Sequence, residues 1–288
     1  MAPDSVPEPS KSILITGCSS GIGLAVAHGL QRRGYRVFAS ARRLADVGRL
    51  RQEGLNTVQL DLDNDDSIAG GLDQVLEQTD GRLYALFNNG AYGQPGAVED
   101  LSRAVLRAQL ETNLLGWHEL TRRVIPLMRS RGEGRIVQNS SVLGLVALPY
   151  RGAYNCSKFA LEGLSDTLRL ELRGSGIHVS LIEPGPIESR FRENAYRMFE
   201  RHIDRHNSVH RDQYEAAARR LQTQGPVSRF TLAPDAVLTK VIHALESPRP
   251  RIRYYVTFPT YLMAYLRRLL PHRLLDRVLL GASGNGAR

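Results

Sequence analysis

Hydrophobic residues along the chain fall into short apolar runs of strand length, which alternate with longer stretches of helical spacing. Runs that are apolar on both faces are typical of parallel strands buried between helices, and helical connections predict right-handed βαβ crossovers. We therefore predict a single-domain α/β fold: a Rossmann-type, doubly wound parallel sheet of about seven strands with helices on both faces. The strand candidates are residues 12–16, 35–40, 57–60, 83–88, 134–140, 177–183 and 252–256.

Three segments depart from this alternation. Residues 1–11 are rich in proline and lack the apolar core of a signal peptide, so we predict a disordered lead-in ahead of a domain at 12–257. Residues from about 187 to 230 are helical in composition but heavily charged, and we interpret them as a lid inserted over the site. Residues 258–288 form an apolar and basic C-terminal tail.

The formal net charge of +9 comes from lysines and arginines spread along the chain. The sequence has no zinc-finger spacing, basic zipper or aromatic RNA-binding signature, so we predict no nucleic-acid partner. A phosphate-bearing cofactor or an anionic membrane surface accounts for the same charge. The chain has only two cysteines, Cys18 and Cys156, and no apolar stretch long enough to span a bilayer, which favours a cytoplasmic protein.

A glycine-rich turn follows the first strand candidate and precedes an apolar helical pattern. It reads Thr-Gly-Cys-Ser-Ser-Gly-Ile-Gly at 16–23. Gly17 permits the tight turn out of the strand, while Gly21 and Gly23 let the backbone approach a pyrophosphate and the sheet. The free N–H groups and the positive dipole end of the helix favour phosphates at this position. A glycine-rich turn that serves only close packing is the alternative.

The end of the second strand candidate bears on the choice of cofactor. NAD-binding proteins usually place an acidic residue there to hold the ribose hydroxyls, whereas this chain has Arg42 and Arg43. A guanidinium can grip the additional ribose phosphate of NADP(H) with charge-assisted bonds. We therefore predict NADP(H), with Arg42 as the first choice and Arg43 as its helper. Two solvated arginines at a helix start are the alternative.

A tyrosine and a lysine lie one turn apart at the start of a long apolar helical pattern, so Tyr154 and Lys158 share a face of the predicted helix. A free phenol has a pKa of about 10, and a neighbouring ammonium favours the phenolate, which makes Tyr154 a tunable acid or base. Ser140 and Ser141 end the fifth strand candidate, where a hydroxyl can donate to a substrate carbonyl oxygen. The amide of Asn113, in an otherwise helical region, is suited to hold either a water or a helix distortion.

Together these motifs resemble the short-chain dehydrogenase/reductase family. The shared features stand in the order and spacing of that family over about residues 12–260. They are Thr16-Gly-x-x-x-Gly21-x-Gly23, Asn88-Asn89, Asn113, Ser141, Tyr154-x-x-x-Lys158 and Pro184-Gly185. The resemblance implies an enzyme that transfers a hydride between NADP(H) and a carbonyl or alcohol carbon, with reduction as the direction in the cell.

The resemblance also implies a role for each site residue. Ser141 polarises the carbonyl or alcohol oxygen and Tyr154 passes the proton. Lys158 binds the nicotinamide ribose and lowers the pKa of the tyrosine, while Asn113 holds a water in the proton relay. The predicted cofactor contacts are Gly17, Ser19, Ser20, Gly21, Ile22 and Gly23 at the phosphates, Arg42 and Arg43 at the ribose phosphate, Asp61 and Leu62 at the adenine, Asn88, Asn89 and Gly90 beneath the cofactor, and Pro184, Gly185 and Ile187 at the nicotinamide, together with Tyr154 and Lys158.

Two positions depart from the pattern of the family. The family usually reads Asn-Asn-Ala-Gly after the fourth strand, whereas this chain has Gly90 and Ala91 in the inverted order. Both residues are small, so we expect the close approach to the cofactor to be kept while the backbone turn differs. Ser189 stands where the family often has threonine, and its hydroxyl is kept.

The substrate side is similar to one branch of the family. Ser-Val-Leu-Gly at 141–144 and Glu-Pro-Gly-Pro-Ile-Glu at 183–188 resemble hydroxysteroid and retinol dehydrogenases and bacterial NADP-dependent aldehyde and ketone reductases. That resemblance implies a lipophilic aldehyde, ketone or secondary alcohol as substrate.

The tail has apolar residues at helical spacing with arginines interleaved. Such a segment can lie on a membrane surface, or it can pack on the body of the protein or on a second subunit. We favour packing, although the segment can pack and contact a membrane at the same time. We therefore predict a homo-oligomer, with peripheral contact to the inner face of the membrane as an open alternative.

Three histidines recur every four residues in the predicted lid. His202, His206 and His210 would place three imidazoles on one face of a helix. No cysteine or carboxylate completes a metal site with them, and the implied reaction needs no metal. We predict no metal, and a solvated face of the lid instead.

Two functions from different classes remain open. The first is NADP(H)-dependent oxidoreduction of a lipophilic carbonyl compound, which Arg42 and the serine, tyrosine and lysine set favour. The second is a non-catalytic NADP(H)-binding sensor or membrane-associated scaffold, which the inverted Gly90-Ala91 order and the basic tail favour. The complete catalytic set argues for the first.

Overall fold

The computed structural model of the protein describes residues 11–283 apart from 224, 226 and 227. Residues 1–10 of the predicted lead-in and 284–288 of the predicted tail therefore lie outside the described residues. The strands are β1 (Ser12–Ile15), β2 (Arg36–Ala41), β3 (Asn56–Gln59), β4 (Ala85–Asn88), β5 (Gly134–Asn139), β6 (Ile177–Glu183) and β7 (Arg253–Tyr255).

All seven strands pair in parallel in one sheet, in the order β3-β2-β1-β4-β5-β6-β7. The chain runs outward from β1 to β3, returns to the other side of β1 as β4, and continues outward to β7. This doubly wound order confirms the fold predicted from the sequence and puts the switch point between β1 and β4. Each predicted strand is confirmed to within two residues at either end.

Helices connect the strands and cover both faces of the sheet. The α-helices are α1 (Gly21–Arg32), α2 (Leu44–Gln52), α3 (Asp65–Gln78), α4 (Arg103–Leu110), α5 (Gly116–Arg131), α6 (Gly152–Glu171), α7 (Phe191–His202), α8 (Arg211–Gln222), α9 (Asp235–Glu246), α10 (Phe258–Leu269) and α11 (His272–Ala282).

Two hydrophobic cores form because alternate residues of each strand point to opposite faces of the sheet. Ile13 and Ile15 of β1 pack in one cluster with apolar side chains of α1, α2 and α9. Leu14, between them, packs in the other cluster with α3, α5 and α6. All three side chains are fully buried, so the continuous apolar run in the sequence reflects burial on both sides.

The connection between β4 and β5 contains a distorted helix. A π-helical turn at Glu111–Leu115 joins α4 to α5, and the Gly116 N–H bonds to the Glu111 carbonyl across it. Asn113 lies inside this turn and is fully buried. Of the two roles predicted for Asn113, the helix distortion is therefore present, at a kind of turn that often marks functional sites.

The predicted lid and tail are helical where the structure describes them. In the lid, Phe199 and Tyr214 pack α7 and α8 on each other and on Ala97 of the body. In the tail, Met263 of α10 and Leu279 of α11 belong to one cluster with residues after β5, so the tail packs on the body, as favoured from the sequence. Within the described ranges, no helix is long and apolar enough to cross a bilayer.

The three histidines of the lid do not share a helical face, which corrects the prediction. α7 ends at His202, His206 lies in the connection, and His210 immediately precedes α8. The helix stops because Ile203 leaves helical backbone and buries its side chain in the lid cluster. His202 and His210 bond to side chains outside the lid and do not form a solvated face. The described residues contain no group of three or more metal-binding side chains.

Leu14→Ala is expected to lower the free energy of unfolding by about 2–5 kcal/mol, because it leaves a cavity between β1 and the helices of one face. Leu44→Ala is the matched control, since Leu44 is 69% exposed, and its effect is expected to stay within about 0.5 kcal/mol. Urea denaturation followed by circular dichroism measures both variants. Equal losses would contradict the placement of Leu14 in the core.

Candidate active site

A cavity of about 400 Å³ opens beyond the carboxyl ends of the strands, where a doubly wound sheet binds its ligands. Its wall is formed by the glycine turn after β1 and by the segments after β4, β5 and β6. The predicted site residues in the wall are Gly17, Ser19, Ser20, Gly21, Ile22, Asn89, Gly90, Ser141, Tyr154, Lys158, Pro184, Gly185 and Ile187. Those outside the wall are Gly23, Arg42, Arg43, Asp61, Leu62, Asn88 and Asn113.

Glycines shape the part of the wall where phosphates are predicted to bind. A Cβ atom on Gly17 would overlap Gly90 Cα, and one on Gly23 would overlap the carbonyl oxygen of Gly17. Gly17 and Gly21 also have φ values of 71° and 59°, a region that favours glycine. α1 begins directly after an extended Ser20, so its first N–H groups have no partner within the helix. This backbone cradle fits the pyrophosphate of a dinucleotide.

The loop after β4 is tied to the glycine turn by hydrogen bonds. Thr16 Oγ1 accepts from the N–H groups of Asn89 (2.8 Å) and Gly90 (2.9 Å). Asn89 Nδ2 donates to the Thr16 carbonyl at 3.0 Å, and Trp117 Nε1 of α5 donates to the Gly90 carbonyl at 2.8 Å. The loop is therefore held from both sides, by the glycine turn and by α5.

Gly90 and Ser189, the two positions that depart from the family pattern, both pack closely against neighbouring residues. A Cβ atom on Gly90 would lie 3.0 Å from Leu62 Cδ1 and 3.2 Å from Gly17 N, so glycine at this position leaves room for the leucine. A Cβ atom on Gly21 would lie 2.9 Å from Ser189 Cβ, which places Ser189 against the glycine turn.

Three predicted residues support the wall from behind. Asn88 is fully buried, and its Nδ2 donates to Thr121 Oγ1 (2.9 Å) and Gln138 Oε1 (3.0 Å), which ties β4 to α5 and β5. Leu62 is buried against Gly90. Asp61, after β3, donates its N–H to Ser67 Oγ at 2.9 Å and is only partly buried.

Arginines gather at the end of β2. Arg42 and Arg43 are exposed, and Arg43 Nε lies 2.8 Å from Asp46 Oδ2. Among the described residues no carboxylate lies within 4.0 Å of the Arg42 guanidinium, so its charge is available to an anion. The sequence reasoning missed Arg49, whose Nη2 donates to the Ser19 carbonyl of the glycine turn at 2.6 Å. Its signal was the cluster of basic residues at 42, 43, 49 and 51.

Lys158 is almost completely buried beside the cavity, at 1% exposure. Its Nζ donates to the Asn139 carbonyl at 2.8 Å. The same atom lies 4.3 Å from the Trp117 ring centroid and 5.7 Å from that of Tyr154. A carbonyl and an aromatic face thus replace much of the water around this nitrogen.

Burial acts on both members of the tyrosine and lysine pair. Burial lowers the pKa of Lys158 to about 7, against the attraction of the Glu162 carboxylate. Burial raises the pKa of Tyr154 to about 12, against a hydrogen bond with Ser141. The pKa of Tyr154 thus departs upward, opposite to the lowering by Lys158 that the resemblance to the family implies. The loss of hydration dominates, and the Lys158 Nζ donates to a main-chain carbonyl and not to the phenol.

Ser141 and Asn113 differ in whether their side-chain donors are already used in hydrogen bonds within the protein. Ser141 Oγ accepts from the Leu143 N–H at 3.1 Å, and its O–H is the group that can donate to the Tyr154 oxygen or to a ligand in the cavity. Asn113 Nδ2 donates to the Tyr92 carbonyl (2.8 Å) and contacts Ser157 Oγ (3.4 Å), while Oδ1 accepts from the Tyr92 N–H (3.1 Å). Both N–H groups of the amide are therefore occupied.

Part of the cavity wall is apolar and is formed by the segment after β5 and by Phe191, which lies among Arg190, Arg192 and Asn194 in the same wall. Val142, Leu143 and Leu148 lie in its wall. Phe191, the first residue of α7, packs edge-on against the Tyr154 ring with 5.4 Å between centroids. The lid segment thus contacts the tyrosine directly.

Known proteins match this chain over most of its length. The model of the short chain dehydrogenase family matches residues 11–199. The uncharacterized oxidoreductase YbbO of Escherichia coli K12 is 46% identical over 271 residues, which cover 94% of each chain. Human 17-beta-hydroxysteroid dehydrogenase type 1 is 35% identical over 85% of this chain and 77% of its own. Human retinol dehydrogenase 8 is 34% identical over 84% of this chain and 80% of its own.

Solved structures share the fold. A short chain dehydrogenase/reductase from Burkholderia phymatum in complex with NAD superposes with a TM-score of 0.76 and 26% identity, over 90% of this chain and 92% of the other. An actinorhodin polyketide ketoreductase with NADPH gives a TM-score of 0.69 and 27% identity, over 86% and 95%. The chain therefore belongs to the short-chain dehydrogenase family of oxidoreductases.

Proposed function

We propose that this protein is an NADP(H)-dependent oxidoreductase that interconverts a lipophilic aldehyde or ketone and its alcohol, with reduction as the cellular direction. One observation carries the proposal: Ser141, Tyr154 and Lys158 line the same cavity as the glycine cradle. When bound, NADPH supplies the hydride for the carbonyl carbon. The chain supplies orientation and the proton.

Tyr154 serves as the proton donor in the reductive direction. With a pKa raised to about 12, its phenol stays protonated at neutral pH, which suits an acid. The Ser141 O–H donates to the same substrate oxygen and stabilises the charge that develops there. Lys158 holds the nicotinamide ribose with the N–H groups that Asn139 leaves free. Because the Asn113 amide is occupied, a relay water near it would bond to the main chain of the π-helical turn.

The proposal of NADP(H) as cofactor rests on the arginines after β2. Related structures carry NAD or NADPH, so family membership alone does not select between them. Arg42 and Arg43 stand where a carboxylate would hold the ribose hydroxyls of NAD. Arg49 adds a third guanidinium beside Ser19. Arg43 and Arg49 are paired with Asp46 and Glu53, so the proposal rests mainly on the guanidinium of Arg42, which is unpaired among the described residues.

The proposal of a lipophilic substrate rests on the apolar wall formed by Val142, Leu143, Leu148 and Phe191. Two relatives are named for a hydroxysteroid and for retinol, which are lipophilic compounds. We further propose that residues 187–230 act as the lid of the domain at 12–257. The Phe191 contact with Tyr154 supports this role.

For the tail we propose contact with an anionic membrane surface, from a cytoplasmic location. The face of α10 opposite its buried residues Met263 and Ala264 is apolar and exposed. Its residues are Phe258, Tyr261, Leu262, Tyr265 and Leu269, here called the α10 stripe. Arginines accompany it at 267, 268, 273 and 277, a combination typical of interfacial helices. A symmetric contact between two stripes would bring these arginines together, so we place the subunit contact of the predicted homo-oligomer elsewhere.

Tyr154→Phe is expected to reduce kcat with NADPH by about 10²–10⁴-fold, because the ring stays in place without a transferable proton. NADPH oxidation over a panel of long-chain aldehydes, retinoids and steroids measures it. Tyr35→Phe, at the opposite end of the strands, is the matched control and keeps the wild-type rate. Wild-type rates in Tyr154→Phe would refute the mechanism. Nucleotide binding without turnover of any panel member would favour the sensor or scaffold hypothesis.

Arg42→Ala is expected to weaken NADPH binding by about 10–100-fold, the effect of one charge-assisted hydrogen bond, while NADH affinity stays within about twofold. Titration of both cofactors by intrinsic fluorescence gives the two dissociation constants. Arg51→Ala removes another exposed arginine of the same region and serves as the control. An equal loss for both cofactors would mean that Arg42 does not contact the ribose phosphate.

Tyr265→Ser combined with Leu269→Ser is expected to weaken binding to phosphatidylglycerol vesicles by about tenfold or more, because two apolar side chains lose their burial. Co-sedimentation at low and high salt measures the binding. Leu170→Ser combined with Val209→Ser removes exposed apolar residues elsewhere and serves as the control. A change of oligomeric state without vesicle binding would show that a second copy covers the stripe.

A further inference from the structure

Ionisable residues lie four positions apart along one face of α6. They are Tyr154 and Lys158 in the cavity wall, followed by Glu162 and Asp166 farther along the helix. Glu162 is 7% exposed and therefore buried together with Lys158. A buried carboxylate one turn from a buried ammonium stabilises the charged form of that ammonium.

A second carboxylate meets the first from the sheet. Glu183 ends β6 and is fully buried. Arg253 of β7 lies between the acids: its Nη2 is 3.1 Å from Glu162 Oε2 and 2.6 Å from Asp166 Oδ2, and its Nε is 3.2 Å from Glu183 Oε1. Asp166 is less buried and also lies 3.6 Å from an Arg169 nitrogen. The two buried glutamates thus share one guanidinium.

Within 4.0 Å, the two buried glutamates have one cation, Arg253, for two carboxylates, and among the described residues no carboxylate lies that close to Lys158 Nζ. Both oxygens of Glu183 and Oε1 of Glu162 are buried without a hydrogen-bond partner among the described residues. The approach of Arg253 Nε to Glu183 Oε1 at 3.2 Å is an ion pair without hydrogen-bond geometry. Burying carboxylate oxygens without hydrogen-bond donors costs folding free energy, and a proton on one of the two carboxyl groups lowers this cost. Burial raises the pKa of both glutamates, that of Glu183 to about 9, so the pair keeps one proton at neutral pH. We assign this proton to Glu183, because Arg253 Nη2 donates a hydrogen bond to Glu162 Oε2, whereas neither oxygen of Glu183 accepts one among the described residues.

We propose that Glu162 is a positioning residue that keeps Lys158 in its ammonium form, and that the proton held by Glu183 allows Glu162 to remain ionised beside it. The inference rests on the proposed role of Lys158 in holding the cofactor ribose. The groups that face Glu162 from the packed elements are Ser140 from β5, Lys158 and Asp166 from α6, Glu183 from β6, and Arg253 and Tyr255 from β7.

The sign of the expected effect follows from the charge. A carboxylate near Lys158 raises the pKa of the ammonium, which burial has lowered to about 7. Glu162→Gln removes the charge and keeps the shape, so the pKa of Lys158 falls further. NADPH affinity is expected to fall as the pH rises and Lys158 loses its proton. The midpoint of this fall is expected to lie lower in Glu162→Gln than in the wild type, by about one pH unit or more.

The experiment measures NADPH dissociation constants from pH 5.5 to 9 by quenching of Trp117, the single tryptophan of the chain. Glu162→Gln moves the midpoint to lower pH, and Glu162→Asp, which restores the charge, returns it toward the wild-type value. Asp166→Asn also removes a carboxylate from Arg253 but lies two turns from Lys158, so its midpoint stays in place. Glu183→Gln imitates the protonated carboxyl and leaves the midpoint unchanged.

Three claims are tested separately: the positioning role of Glu162, the proton on Glu183 and the role of Lys158 in binding the cofactor. A wild-type midpoint in Glu162→Gln overturns the positioning role, and a shift in Glu183→Gln as large as in Glu162→Gln overturns the placement of the proton. Lys158→Met separates the inference from the proposed function: it is expected to weaken NADPH binding and to remove the pH dependence. If Lys158→Met binds NADPH like the wild type, the proposed role of Lys158 fails instead. Thermal unfolding of each variant at pH 7 shows whether the fold is kept.

Discussion

An ammonium group cut off from water has to be held by partners that the fold supplies, and Lys158 is in this position. Its Nζ donates to the carbonyl of Asn139 at the end of β5 and lies over the ring of Trp117 from α5. Trp117 in turn bonds to Gly90, which packs on the glycine turn after β1. The contacts of one buried ammonium thus connect β5, α5, α6 and the glycine turn after β1.

Features that depend on local pattern could be predicted from the sequence. The strands follow from apolar runs, since burial on both faces of a parallel sheet requires them. The glycine turn and the shared face of Tyr154 and Lys158 follow from backbone geometry and helical spacing. These predictions hold because neighbouring residues decide them. The roles of the site residues rest on the resemblance to the family and stay predictions.

Features that depend on distant segments could not be predicted. Glu162 and Glu183 come together with Arg253 from one helix and two strands, and nothing in the local sequence marks them as neighbours. The histidine series was misread because the end of α7 is set by Ile203, which buries its side chain in the lid cluster. A lowered pKa was expected for Tyr154 because Lys158 lies one helical turn away. Burial in the folded cavity raises this pKa instead, and the spacing of residues in the sequence does not reveal burial.

The close packing of Gly90 has a consequence for how this chain and its relatives diverge. A methyl group at position 90, as in the usual order of the family, would press on Leu62 Cδ1 at 3.0 Å and on Gly17 N at 3.2 Å. The glycine turn cannot give way, because Gly17 already touches Gly90. Accommodation therefore falls to Leu62. We expect the residues at positions 62 and 90 to vary together across homologues, a larger side chain at one requiring a smaller one at the other.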